Sequence, residues 1–198
     1  MNCIELNDPF PLTKGEYRSD DLPHVGEIIH MMLVDLGVVR PSGGPPNCYQ
    51  LEKGLVWERL LSLALPECAD RPGELVVDGI IISPDGLKYW EVVEGVDGSV
   101  LELDTLVVEE YKCTARSSKL FPADELRWMM QTKAYCRGVG AHHCIFRILH
   151  LNGDYRDRNP APKTWLVEFT QAELDENWSA ILAYARGRGL IAGAGACE

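Results

Sequence analysis

The stretch Leu106 to Ser117, LVVEEYKCTARS, carries an aliphatic run straight into Glu109, Glu110 and Lys112. In a strand, residues i and i+2 share a face, so Glu110 and Lys112 point together while Tyr111 points away. Charges are costly to bury unless paired or bound to something, so this is either a wet strand end or a site. Three other features accompany it. Asp78 interrupts the apolar run Leu75-Val76-Val77 and precedes Gly79; Glu58 sits in the middle of a helix-period segment; and Gln131 and Tyr135 stand four apart on a later helix, on one face. Carboxylates from neighbouring strands, Asp78 and Glu110, are the hard oxygen ligands that Mg²⁺ takes alongside waters and a substrate phosphate. Such a cation neutralises charge and activates water in phosphodiester hydrolysis. Lys112 would polarise the attacking water or stabilise the crowded phosphate. Glu58 would reach a second metal or orient a metal-bound water, and Gln131 and Tyr135 would position the site. Arg116, Ser117 and Lys119 follow directly and suit phosphate contacts.

Each feature has a plainer reading. Asp78-Gly79 alone suits a turn, Glu58 a solvated helix face, Glu110 and Lys112 a surface ion pair worth little, and Gln131 and Tyr135 a helix-to-core hydrogen bond. It is their joint occurrence that favours a site.

The elements that must position these residues are read from periodicity and breakers. Val25, Ile28, Ile29, Met32, Leu33 and Leu36 follow helical spacing up to Gly37. A breaker-rich loop, RPSGGPPN, precedes a second helix over residues 49–65, with Leu55, Leu60, Leu61 and Leu65 apolar. Residues 73–94 read as strand, turn, strand, with the turn at Ser83-Pro84-Asp85-Gly86, so Asp85 is taken as a hairpin residue and not a ligand. A turn at Gly95 to Gly98, the Glu110 strand, a helix from Pro122 closed by Gly138 and Gly140, and strands over 142–151 and 164–170 follow. Thr170 with Glu173 forms a capping box for a last helix. The order gives an α/β fold: a single domain with a central mixed β-sheet flanked by helices. An N-terminal helical arm over about 1–47 and a mobile tail over about 187–198 complete it. His24, His30, His142 and His143 are read as surface or core residues, and Trp57, Trp128, Trp165 and Trp178 as core anchors.

The bulk properties agree. A chain of 198 residues suits one domain. Seven cysteines without a C-x-x-C disfavour a disulfide framework or a zinc ribbon, and with no basic, apolar leader or membrane-length run they point to the cytoplasm. The net charge of -11 is uneven: residues 1–109 carry -13, residues 110–163 carry +5 and residues 164–198 carry -3. A positive patch on an acidic chain can hold a polyanion.

Asp78, then Glu110-x-Lys112, with Glu58 upstream and Gln131-x-x-x-Tyr135 downstream, resembles the PD-(D/E)XK nuclease superfamily, in its RecB-like and lambda-exonuclease-like phage branch. The likeness spans roughly residues 54–150; Gly153-Asp154-Tyr155 and residues 165–170 also resemble the closing strands of phage members. One departure is that Asp78 follows Val77 where the motif has Pro. The resemblance implies a restriction-endonuclease-like core, Mg²⁺ (with Mn²⁺ able to replace it) held by Glu58, Asp78, Glu110 and the Tyr111 carbonyl, and DNA as substrate. It further implies an exonuclease of recombination, replication or repair, in host cytoplasm for a phage protein, with a recombination or single-strand-annealing partner protein and a homo-oligomer both compatible. The other readings are an endonuclease of the same superfamily, a catalytically idle relative that binds nucleic acid or protein, and an acidic DNA mimic.

Overall fold

The structure, a computed structural model, describes residues 21–41, 56–57, 60–61 and 71–192. Its first helix, α1 (Val25–Asp35), buries Val25, Ile28, Ile29, Met32 and Leu33, the stripe expected from the spacing. Leu36 is the exception. It stands at the C-cap, after the last helical residue, and is 71% exposed. Gly37 follows with φ 69°, the left-handed conformation that ends many helices. The expected second helix is described only at residues 56–57 and 60–61, which are helical, with Leu61 buried and Leu60 exposed. Glu58, Leu55 and Leu65 lie outside the described residues.

Next comes a short hairpin, β1 (Leu75–Val77) and β2 (Ile80–Ile82), with Val77 paired to Ile80. The two-residue turn between them is Asp78-Gly79, at φ 50° and φ 80°. Positive φ at both central residues is what a tight hairpin demands, and Asp-Gly supplies it. The turn expected at Ser83 to Gly86 is therefore not where the chain reverses. Those residues instead lead into β3 (Gly86–Glu94), which joins a different sheet.

That sheet has the order β3, β4 (Val100–Thr114), β5 (His143–His150) and β6 (Ala161–Glu168). Its β3–β4 and β5–β6 pairs are antiparallel and β4–β5 is parallel, which makes it mixed. A parallel pair needs a crossover. Here it is a 3₁₀ turn at Pro122–Asp124 and α2 (Leu126–Val139), which ends at Gly140 with φ 72°. Gly138 does not break this helix. It lies inside it, where a Cβ would fall 2.3 Å from Ile82 Cδ1, so its missing side chain lets the β1–β2 hairpin dock. The last helix, α3 (Gln171–Gly187), starts with the expected capping box: Thr170 Oγ1 accepts from the Glu173 N–H, and Glu173 Oε2 accepts from the Thr170 N–H at 2.9 Å.

The core lies between one face of β4–β5 and the three helices. Val108, Cys144, Phe146 and Ile148 meet Ile28 and Ile29 of α1, Ala134 and Cys136 of α2, and Leu174, Trp178 and Ile181 of α3. The helix expected in an N-terminal arm is thus part of the core. Leu190 and Ile191 also pack against it, while residues 193–198 lie outside the described residues. Gly153 to Tyr155 is a turn, not a strand, with Gly153 at φ 49° and Tyr155 at φ 69°. No described helix is long and apolar enough to cross a membrane.

Candidate active site

Strand alternation sends Glu109 and Glu110 of β4 to opposite faces of the sheet, and both are buried, at 0% and 1% exposure. Glu110 faces the helices. Its register neighbour on β5 is Phe146, whose own neighbour on β6 is Trp165, and Trp128 of α2 stacks on Phe146 at 6.4 Å. This aromatic row keeps water off the carboxylate from the side. Cys136 and Cys144 lie beneath it: burial, with the Glu110 charge adding, pushes the Cys136 thiol up to about 12. Such a group stays a neutral packing residue.

Lys112 is on the same face, as the strand period requires, and its Nζ is ion-paired with Glu110 Oε1. Burial alone would pull the ammonium's pKa down. The charges of Glu110 and Asp85 outweigh that and hold it above the ordinary lysine value, with Arg127 opposing. Lys112 is therefore a cation at neutral pH.

The second carboxylate at this point is Asp85. Gly86 pairs with Glu109, so Asp85, one residue earlier, falls level with Glu110. Asp85 Oδ2 accepts a hydrogen bond from the Tyr111 N–H at 2.7 Å. Burial raises its pKa, while Lys112, the Tyr111 N–H and Arg71 pull it back. The residue before it is Pro84, the proline that Asp78 lacks.

The structure corrects the sequence expectation here. Asp78 is not on a strand beside Glu110. It is an exposed residue of the β1–β2 turn, and its Oδ2 accepts from Trp178 Nε1 of α3 at 2.8 Å. That bond ties a turn to a helix. Asp85, set aside as a turn residue, is the carboxylate that meets Glu110 and Lys112. A readable signal existed: Asp78-Gly79 lies between the apolar triplets Leu75-Val76-Val77 and Ile80-Ile81-Ile82, the strongest short hairpin pattern a sequence offers.

Gln131 and Tyr135 share a face of α2, as expected. Gln131 Nε2 donates to Tyr135 Oη at 2.5 Å, one turn along from Trp128, and Tyr135 is buried. Arg116 is ion-paired with Glu125, Lys119 Nζ meets Asp154 Oδ2 at 2.9 Å, and Ser117 Oγ accepts from the Lys119 N–H at 3.3 Å. Those loop cations are held by local acids.

The other face of β4 holds a network the sequence did not announce. Glu109 Oε2 accepts from Arg147 Nε at 2.9 Å and from Tyr111 Oη at 2.9 Å. Trp57 Nε1 reaches the Arg147 carbonyl at 3.5 Å. The Glu109 network holds the Tyr111 side chain, and the Tyr111 peptide N–H holds Asp85.

Among the described residues, no three of His, Cys, Asp and Glu gather as a ready-made metal cage. Asp85 and Glu110 form a two-carboxylate donor set with the Tyr111 peptide beside it. That suits a hard cation which keeps waters and takes its remaining ligands from a phosphate.

No protein-family model matches the chain, and no curated protein matches it. Among solved structures, it is similar to SSO0001, with TM-score 0.46, 12% identity and coverage of 85% of this chain and 79% of that one. It is similar to LHK-Exo, solved in complex with dAMP, with TM-score 0.45, 15% identity and coverage of 82% and 79%. It is also similar to the alkaline exonuclease LHK-Exo from Laribacter hongkongensis, with TM-score 0.43, 17% identity and coverage of 83% and 78%.

Proposed function

We propose that this chain is a metal-dependent nuclease that hydrolyses phosphodiester bonds in DNA, acting from ends. One observation carries the reading: Asp85, Glu110 and Lys112 converge at the carboxyl-terminal end of β4, a buried acid and a half-buried one around one charged lysine. A structural ion pair needs one carboxylate per ammonium. Here two acids flank one ammonium, and burial opposes the charged form of Asp85, so a bound cation would stabilise both carboxylates.

Asp85 and Glu110, with the Tyr111 carbonyl, would hold Mg²⁺ or Mn²⁺. When bound, the ion supplies charge neutralisation for the phosphate and lowers the pKa of water. Lys112 then has a task of its own. Its ammonium remains charged and sits beside both acids, so it can donate a hydrogen bond to the attacking water or to a phosphate oxygen as negative charge grows. The Tyr111 N–H fixes Asp85, and the Gln131–Tyr135 pair fixes the α2 face above the site. Glu58 is retained as a further acid for this site.

The test is cleavage of end-labelled linear duplex and single-stranded DNA beside covalently closed circles, each with Mg²⁺, Mn²⁺ or EDTA. Metal-dependent loss of linear DNA with circles spared is the expected result. Cutting of circles would make the enzyme an endonuclease, and no cleavage with either metal would end the catalytic reading.

A further inference from the structure

We infer that the loop joining β5 to β6, through Arg156 and Arg158, is a contact surface for the phosphate backbone of the nucleic acid; this rests on the nuclease reading above. β4 ends at Thr114 and β5 at His150, register partners at the carboxyl ends of the parallel pair. Thr114 is only two residues beyond Lys112, about 7 Å of strand. The loops that follow these ends are bound to each other. Ser118 N–H donates to the Gly153 carbonyl at 2.7 Å, Tyr155 Oη donates to the Ala115 carbonyl at 3.0 Å, and Lys119 meets Asp154 at 2.9 Å. The buried His150 anchors the first loop, its Nδ1 lying 3.0 Å from the Arg116 carbonyl. The two loops therefore form one shelf past the site.

The charges on this shelf are sorted. Its acids are occupied: Asp154 Oδ1 accepts from the Arg156 and Asp157 N–H groups at 2.9 and 2.8 Å, and Asp157 Oδ1 accepts from Asn159 N and Nδ2 at 3.1 and 2.8 Å. Arg116 and Lys119 each have an acid. Arg156 and Arg158 are exposed and have no carboxylate partner among the described residues. Their loop is held in shape by its acids while its guanidinium groups stay open. A guanidinium fork matches phosphate oxygens in pairs. DNA advances about 3.4 Å per phosphate along one strand, so the shelf lies a few nucleotides from Lys112.

The experiment measures duplex binding in EDTA across salt concentrations, for Lys112→Ala and for the same chain with Arg156→Ala and Arg158→Ala added. A charge-matched control adds Arg40→Ala and Arg186→Ala instead; both arginines are exposed, and Arg186 lies at the α3 end that the Arg188–Asp35 ion pair joins to α1. The loop variant is expected to bind on the order of tenfold more weakly near 0.1 M salt. Its slope of log affinity against log salt should fall by about 2, at roughly 0.9 for each phosphate no longer neutralised. The control should behave as the parent. A loop variant that matches the control while the parent binds would overturn this inference alone. A parent chain that neither binds nor, with Lys112 restored, cleaves DNA would overturn it together with the nuclease reading.

Discussion

Side by side on β4, Glu109 and Glu110 are equally buried but differ in what surrounds them. Glu109 has Arg147 and Tyr111 as hydrogen-bond partners. Its role is to hold the strand. Replacing Arg147 with Ala would leave a buried charge uncompensated, at a cost of about 3–5 kcal/mol. Replacing both members together, as Glu109→Leu with Arg147→Met, should cost much less, because the desolvation penalty leaves with the charge. Denaturant unfolding of the two variants measures the difference; equal losses would show that Arg147 acts through packing alone. Glu110 shares its face with Lys112, and Asp85 stands level with it across the β3–β4 register. A further residue-scale outcome concerns Asp154. Its pKa is depressed to about 2, first by Lys119 and then by the Asp157 and Arg156 N–H groups. A depressed carboxyl stabilises the fold above the ordinary aspartate value of roughly 3.9 and loses that contribution as pH falls through about 2. In Lys119→Ala the Asp154 pKa should rise but stay below the ordinary value, since the two N–H donors remain. An NMR titration of that carboxyl reads this directly, and an unchanged pKa would remove Lys119 as the main cause.

At the scale of elements, the Asp-Gly pairs at 78–79 and 85–86 exchange the roles that the sequence suggests. Both precede apolar residues and both carry turn chemistry. Ser83-Pro84 gives the later pair the signature of the sharper reversal, and a strand of three residues is too short for its alternation to show. Pairing settles the matter: Asp78-Gly79, flanked by two apolar triplets, closes the hairpin, with Val77 paired to Ile80. The helices were legible for the opposite reason. Their stripes repeat over several turns and their ends are marked by Gly37, Gly140 and the Thr170–Glu173 box. The role of Gly138 is set by a neighbour distant in sequence, which periodicity along the helix does not show. Gly138→Ala should destabilise by about 1–3 kcal/mol through overpacking, as the new Cβ would lie 2.3 Å from Ile82 Cδ1 and 3.3 Å from Val77 Cγ2. Adding Ile82→Val removes that Cδ1 and should recover part of the loss in thermal unfolding. No recovery would place the strain in the helix backbone instead.

Across the whole molecule, charge is graded along β4. Its first residues pair only with β3 in an acidic ribbon carrying Glu91, Glu94, Asp97, Glu102 and Asp104, and its last residues open onto the arginine-bearing loops. Under the proposed function, a polyanion would be repelled at one end and drawn to the other, where Lys112 sits. The uneven charge was readable in the sequence; its direction along one strand was not, because it depends on which loops meet. The site was half legible for a similar reason. Glu110 and Lys112 are related by the strand period alone, whereas Asp85 reaches them only through the register of β3 on β4. The central claim is that Asp85 supplies the second acid and that Asp78 does not. It is tested most directly by comparing the Mg²⁺-dependent cleavage of linear duplex by Asp85→Asn and Asp78→Asn, with both folds checked by circular dichroism. Asp85→Asn should lose about a hundredfold or more in rate, the loss expected when a cation loses one of its charged ligands. Asp78→Asn should stay within a few fold of the wild type, because Asn-Gly suits the turn and its carbonyl still accepts from Trp178. Loss of cleavage in Asp78→Asn with Asp85→Asn active would contradict the account.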